Sequence, residues 1–101
     1  MKLKVTHEKE CARFALSGDL DEKGADILDK GFRGLNQGSL SELVLDFKDV
    51  AYIGSSAIGQ LILFYKILAA SGGKIRIENV SGDIYDLLLD LDINKLISIS
   101  K

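Results

Sequence analysis

The order of hydrophobic periodicities constrains this chain more than any other feature. Stretches in which apolar side chains recur every second residue alternate with stretches in which they recur every three or four. Lys2 to Thr6 alternates, with Leu3 and Val5 on one side, and reads as a strand. After the polar turn His7-Glu8-Lys9-Glu10, the run Cys11 to Ser17 puts Ala12, Phe14 and Leu16 on one face. The two strands are therefore expected to pair as a hairpin. Gly18-Asp19-Leu20-Asp21 breaks the alternation. Asp21 is a candidate N-cap for a helix over Glu22 to Leu35, in which Ala25, Leu28, Phe32 and Leu35 recur at helical spacing. Asn36-Gln37-Gly38-Ser39 ends that helix.

Glu42 to Phe47 reads as a short strand, and its consecutive Leu43, Val44 and Leu45 are expected of a strand covered on both faces. A turn and the tight segment Ala51-Tyr52-Ile53-Gly54 lead into Ser55-Ser56 and a long helix to about Ala70. Ser71-Gly72-Gly73 stops it, glycine suiting the left-handed position after a helix. Lys74 to Glu78 alternates as a strand, Ser81 or Asp83 caps a helix through Leu89, and Leu96 to Ile99 forms a last strand. The order β-β-α-β-α-β-α-β predicts an α/β fold with right-handed crossovers. Its sheet is mostly parallel, with an antiparallel N-terminal strand. Sites in such folds favour the carboxyl ends of strands, where the loops Gly18 to Asp21 and Ile53 to Ser56 fall.

Composition narrows the function classes. A chain of 101 residues, 47% of them apolar, suits one domain over residues 1-101 with a core that needs no staples. Charged residues make up 28%, of both signs, and the net charge is only -2, so there is no electrostatic footprint for nucleic acid or an acidic membrane. The single cysteine, Cys11, excludes an intramolecular disulfide and a cysteine zinc cluster, and its apolar setting predicts a buried, inert thiol. The charged N-terminus has no apolar signal core. Ala57 to Ala70 is interrupted by Gln60 and Lys66 and is too short for a bilayer, so a cytoplasmic location without membrane insertion is expected.

The central helix is apolar on more than one side. Ile58, Leu61, Ile62, Tyr65, Leu68 and Ala69 form a stripe wide enough to pack on the sheet. Leu63 and Ile67 fall opposite, and Ser56 and Gln60 continue their ridge toward the helix start. Two readings are open: a neighbouring helix covers Leu63 and Ile67 or they are ordinary exposed apolar residues, or else the ridge is a docking surface for a partner. At the head of the ridge, a serine before a helix is ordinarily an N-cap. That explains one serine of Ser55-Ser56 and leaves the second.

The stretch LVLDFKDVAYIGSSAIGQLILFYKILAASGGKIRIENV resembles the core of the STAS domain family, specifically its bacterial anti-sigma factor antagonists. Upstream, SGDLDEKGADIL is similar to the family's acidic loop opening the first helix. Together the matches span about half of the chain in the right order. The resemblance implies that Ser55 is the residue phosphorylated by a partner that is both serine kinase and anti-sigma factor. Ser56 would be a poorer acceptor that supports the helix start. It further implies partner contacts at Asp21, Gly54, Ser55 and Ser56, continuing onto Gln60, Leu63 and Ile67, with a phosphoserine phosphatase to reset the cycle. No cofactor or metal is expected. Gly54 stands where the family has aspartate, and Ala57 where it has its first motif glycine. The family's further C-terminal helix is expected to be absent or very short.

A second reading within the same fold is a constitutive STAS subunit of a lipid-transporting ABC system, with no phosphorylation cycle. An enzyme is the weakest reading. His7 is the only histidine and lies in a predicted turn without an acid or nucleophile partner, while Asp90 and Asp92 follow an apolar helix end and are expected to face water. Ser71-Gly72-Gly73 lacks the lysine-serine ending of a phosphate-binding loop.

Overall fold

The computed structural model describes residues 1–101. Strands β1 (Lys2–Glu8) and β2 (Cys11–Leu20) form an antiparallel hairpin around Lys9-Glu10, where Lys9 takes a φ of 55°. Then follow α1 (Glu22–Arg33), β3 (Glu42–Ile53), α2 (Ser55–Ala70), β4 (Lys74–Glu78), α3 (Gly82–Asp90) and β5 (Ser98–Ile99), with short 3-10 turns before β3 and β5. The strands make one sheet in the order β1-β2-β3-β4-β5, parallel from β2 onward. The α/β class and the antiparallel first strand thus stand as expected from the sequence.

Each crossover advances the chain by one strand in the same direction. Because such crossovers are right-handed, all three helices land on the same face of the sheet. The inner face of the strands (Phe14, Leu16, Leu43, Leu45, Ile75, Ile77) and the helices share one apolar cluster. At its centre the rings of Phe32 on α1 and Phe64 on α2 stack with centroids 4.0 Å apart. That stack turns α2 away from the expected stripe. Its buried positions are Ala57, Leu61, Phe64 and Leu68, whereas Ile58, Ile62 and Tyr65 are only partly covered and Ala69 is exposed.

The opposite face carries no helix, which corrects the expectation that β3 is covered on both sides. Val44 is only 3% exposed yet stands apart from the apolar cluster. Its register partners are Arg13 on β2 and Arg76 on β4, whose aliphatic stems shield it. The charged ends of those arginines are then paired. Arg13 bonds Asp46 at 3.1 Å and also Glu78, while Arg76 reaches Glu42 at 3.7 Å and Glu78 at 3.8 Å. Cys11 lies half-buried on this polar face rather than in the core. Desolvation and the neighbouring Glu42 carboxylate push its thiol pKa up, which disfavours the thiolate.

Element boundaries differ from expectation where charge hid a strand. β2 continues through Gly18 to Leu20 with register shifts near Ser17 and Asp19, and β3 continues through Lys48-Asp49 to Ile53. The tight segment Ala51 to Ile53 is therefore strand. α1 stops at Arg33, Ser81 rather than Asp83 caps α3, and the last strand contracts to Ser98–Ile99.

Asp46 ties the bare face together, accepting from Asn79 at 3.1 Å, the Lys48 amide at 3.0 Å and Arg13 at 3.1 Å. Partial burial works to raise its pKa, but these hydrogen bonds outweigh it and hold the carboxyl below its ordinary value. A carboxylate depressed in the folded state adds stability above its unfolded pKa and loses it as pH falls through the folded one. Asp46→Asn is therefore expected to lower Tm at neutral pH, with the gap to wild type closing in acid. Thermal melts across an acid pH series check this.

Candidate functional site

Parallel pairing of Leu20 with Ile53 brings the carboxyl ends of β2 and β3 side by side. The amide of Gly54 donates to the carbonyl of Leu20 at 2.9 Å, so the two exits are tied to each other by backbone. From these exits the chain turns through Asp21 into α1 and through Gly54 into α2. The two helices consequently begin next to one another, both with unpaired amides at the same end of the sheet.

The two starts are built differently. At α1, Asp21 caps as expected, its Oδ1 accepting from the Gly24 amide at 2.8 Å. A Cβ at Gly24 would run into the carbonyl oxygen of Asp19, so glycine lets the first turn fold back onto β2. At α2 the cap position is Gly54, extended and without a side chain to offer. Ser55 and Ser56 are the first two residues inside the helix, both exposed, and neither hydroxyl caps it. This overturns the reading of a serine as N-cap, including the expected role of Ser56 in supporting the helix start. The amides of Ser55, Ser56 and Ala57 precede the first intrahelical bond, which runs from the Ile58 amide to the Gly54 carbonyl at 3.1 Å. α2 is the one α-helix of the three with no side-chain cap.

Asp21, Glu22, Tyr52, Gly54, Ser55 and Ser56 line a cleft of roughly 220 Å³ between the two starts. Four of these six were legible in the sequence. Glu22 and Tyr52 were not, Tyr52 because the end of β3 read as a tight loop. It is 53% exposed, and its hydroxyl lies 3.2 Å from where a Cβ of Gly54 would stand. The missing side chain at position 54 is thus what lets the tyrosine lie across the cleft. The fixed charges here are acidic, from Asp21 and Glu22, and the open amides of α2 supply the opposing partial charge.

The ridge behind the serines divides. Leu63 and Ile67 are 45% and 38% exposed, so no helix covers them. Gln60 is half-buried, and its Oε1 is buried without a hydrogen-bond donor, so it turns inward rather than outward. Gly59, between Ser56 and Leu63, is exposed, and a Cβ there would meet nothing within 4 Å. No group of three or more His, Cys, Asp or Glu is placed to hold a metal ion, and no helix is long and apolar enough to cross a membrane.

Known proteins share this fold. The family model described as the STAS domain matches residues 2–101. An anti-sigma F factor antagonist from Paenibacillus polymyxa is 22% identical over 89 residues, covering 87% of this chain and 76% of the relative. Among solved structures, a putative anti-sigma factor antagonist from Thermotoga maritima is similar with a TM-score of 0.87 at 18% identity, covering 98% of this chain and 86% of its own. The Bacillus cell fate determinant SpoIIAA in its phosphorylated form is similar with a TM-score of 0.77 at 16% identity, covering 99% and 92%.

The cap assignments are directly measurable. Asp21→Ala and Ser81→Ala should each cost about 1 kcal/mol in urea unfolding. Ser55→Ala and Ser56→Ala should stay within about 0.5 kcal/mol of wild type, as surface substitutions do.

Proposed function

The chain belongs to the STAS domain family, and from that premise we propose that it is an anti-sigma factor antagonist whose binding surface is switched at Ser55. It acts as a binding module and not as an enzyme. Unphosphorylated, it docks an anti-sigma factor that is also a serine kinase, and the sigma factor held by that partner is released. The kinase transfers the γ-phosphoryl group of ATP to Ser55 Oγ, leaving ADP and a proton, and the complex separates. A phosphoserine phosphatase restores the hydroxyl by hydrolysis.

One observation carries this reading: Ser55 is exposed at an uncapped helix start, with the uncovered pair Leu63 and Ile67 farther along the same helix. Its hydroxyl has no structural duty, so modifying it does not dismantle the fold. A phosphoserine adds about -1.5 to -2 charges. The open amides of α2 interact favourably with that charge, by roughly 0.3–1 kcal/mol. In a docked interface the same charge would be desolvated against a surface shaped for a neutral hydroxyl. An uncompensated buried charge costs on the order of 3–5 kcal/mol, which lowers affinity by ~10²–10³ or more. The effect on the complex exceeds the effect on the fold, which is what a switch of this kind requires.

The partner surface would comprise Asp21, Gly54, Ser55, Ser56, Leu63 and Ile67, with Tyr52 at its rim and Gln60 contributing only its exposed portion. Gly59 belongs with them. Glycine inside a helix is destabilising by roughly 0.5–1 kcal/mol relative to alanine, and nothing within the domain occupies the space beside it. A partner backbone approaching closely at this point accounts for a glycine there. The second reading, a constitutive STAS subunit of a lipid-transporting ABC system, is favoured by Gly54, which stands where the family resemblance implies an aspartate.

Two measurements test the proposal. Ser55→Asp should leave Tm nearly unchanged while abolishing retention of a kinase-like protein from native cytoplasm. Equal losses of stability and binding would sink the switch, and retention of a transporter ATPase by both forms would favour the second reading. Gly59→Ala should raise the stability of the free domain by about 0.5–1 kcal/mol while weakening that same capture. Unchanged capture would remove Gly59 from the interface.

A further inference from the structure

β1 is an edge strand of seven residues, hydrogen-bonded to β2 on one side only. The other edge, β5, is just two residues long. A two-residue turn leaves its flanking residues, Glu8 and Cys11, as a hydrogen-bonded pair. Alternation along an antiparallel ladder then directs the amide and carbonyl groups of Glu8, Thr6, Lys4 and Lys2 toward β2. Those of His7, Val5 and Leu3 point to the free edge. Val5 is also 44% exposed on the helix-bearing side, although its register partner Phe14 is fully buried.

We propose that this edge pairs with the same edge of a second copy, antiparallel and two-fold symmetric about Val5. In that register Val5 faces Val5 of the other copy, Leu3 faces His7, Lys4 faces Thr6 and Lys2 faces Glu8. The three residues with outward amides fall on hydrogen-bonded positions, so the ladder continues without a break. All seven residues of the strand take part, and the two sheets join into one of twice five strands. Charge selects the register. Lys2 and Glu8 lack an ion-pair partner within 4.0 Å in their own chain, and the two-fold gives each of them one. Sliding the axis to Lys4 would set Lys4 against itself, and sliding it to Leu3 would set Lys2 against Lys4. Moving it to Thr6 would leave Lys2 and Leu3 unpaired.

The helices permit the approach. α1 lies over β1 and β2, with Leu3 against Gly31. Adjacent strands are about 4.8 Å apart, so a helix centred between β1 and β2 and its symmetry mate would lie roughly 10 Å apart. That is an ordinary helix packing distance. α2 packs over β4 and against α1, away from this edge, so its serines stay free in the dimer.

The full chain tests this by sedimentation equilibrium from micromolar to millimolar concentration. Wild type should show a concentration-dependent dimer. Glu8→Lys, which places lysine against Lys2 twice, should weaken it about tenfold. Adding Lys2→Glu should restore affinity to within about threefold of wild type. In a Cys11→Ser background, mild oxidation should link Val5→Cys into a covalent dimer, since hydrogen-bonded partners stand about 5.5 Å apart at Cα. Lys4→Cys, offset from its own copy, should not link. A monomer at every concentration, a dimer indifferent to Glu8→Lys, or failure of the charge exchange to rescue would each overturn the proposal.

Discussion

Three right-handed crossovers taken in one direction are the constraint on which the rest of this structure depends. Since the strand order never reverses, α1, α2 and α3 all pack on the same face, and the chain becomes a two-layer sandwich of helices on sheet. The bare face must then be finished without a layer to cover it. The strands do so by placing Arg13, Asp46, Arg76 and Glu78 where a covered sheet would have apolar residues, with Val44 sealed beneath the arginine stems. The same topology sends every helix out from the carboxyl end of a strand. The helix starts therefore gather at one end of the sheet, where their partial positive charges face solvent together.

Periodicity exposed this architecture almost entirely, because the inner face of each strand and the buried stripe of each helix obey different spacings. Where the reading went astray, a local pattern had two physical causes. Three consecutive apolar residues at Leu43 to Leu45 look like a strand buried on both faces, but long arginine side chains can bury a valine as a helix would. Lys48 and Asp49 look like a turn, yet parallel pairing of Asp49 with Ser17 and of Val50 with Gly18 carries β3 onward past them. On α2, nearly every side is apolar, so counting residues could not choose the buried side. The stack of Phe32 on Phe64 chose it, and that is a tertiary fact.

The candidate site was legible in position and misread in detail. Glycine, two serines and a helical run mark a helix start, and the start lies where the ends of parallel strands place it. What the pattern could not decide was which residue stands at the cap, because one residue of offset separates a serine that holds the helix from one that merely begins it. With Gly54 at the cap, both hydroxyls are released from structural work. Asp21 shows the opposite arrangement, since its carboxylate closes the first turn of α1.

That difference decides which parts of the cleft are able to change state. A switch residue has to alter an interface without altering the fold, so it must be absent from the interactions that hold the domain together. Ser55 meets this condition: no helix cap, no core contact and no hydrogen bond depends on its hydroxyl. Asp21 does not, because the same carboxylate that would face a partner also satisfies the Gly24 amide. Any contribution Asp21 made to binding would be tied to the stability of α1, whereas a covalent change at Ser55 would leave the cap and core untouched. Two acidic groups, Asp21 and Glu22, border the position that would receive the phosphate. Their repulsion opposes the pull of the open α2 amides, and solvent screens both at this exposed site. A phosphate on Ser55 would accordingly have a small net effect on the free domain, and its consequence would fall on whatever docked against the helix.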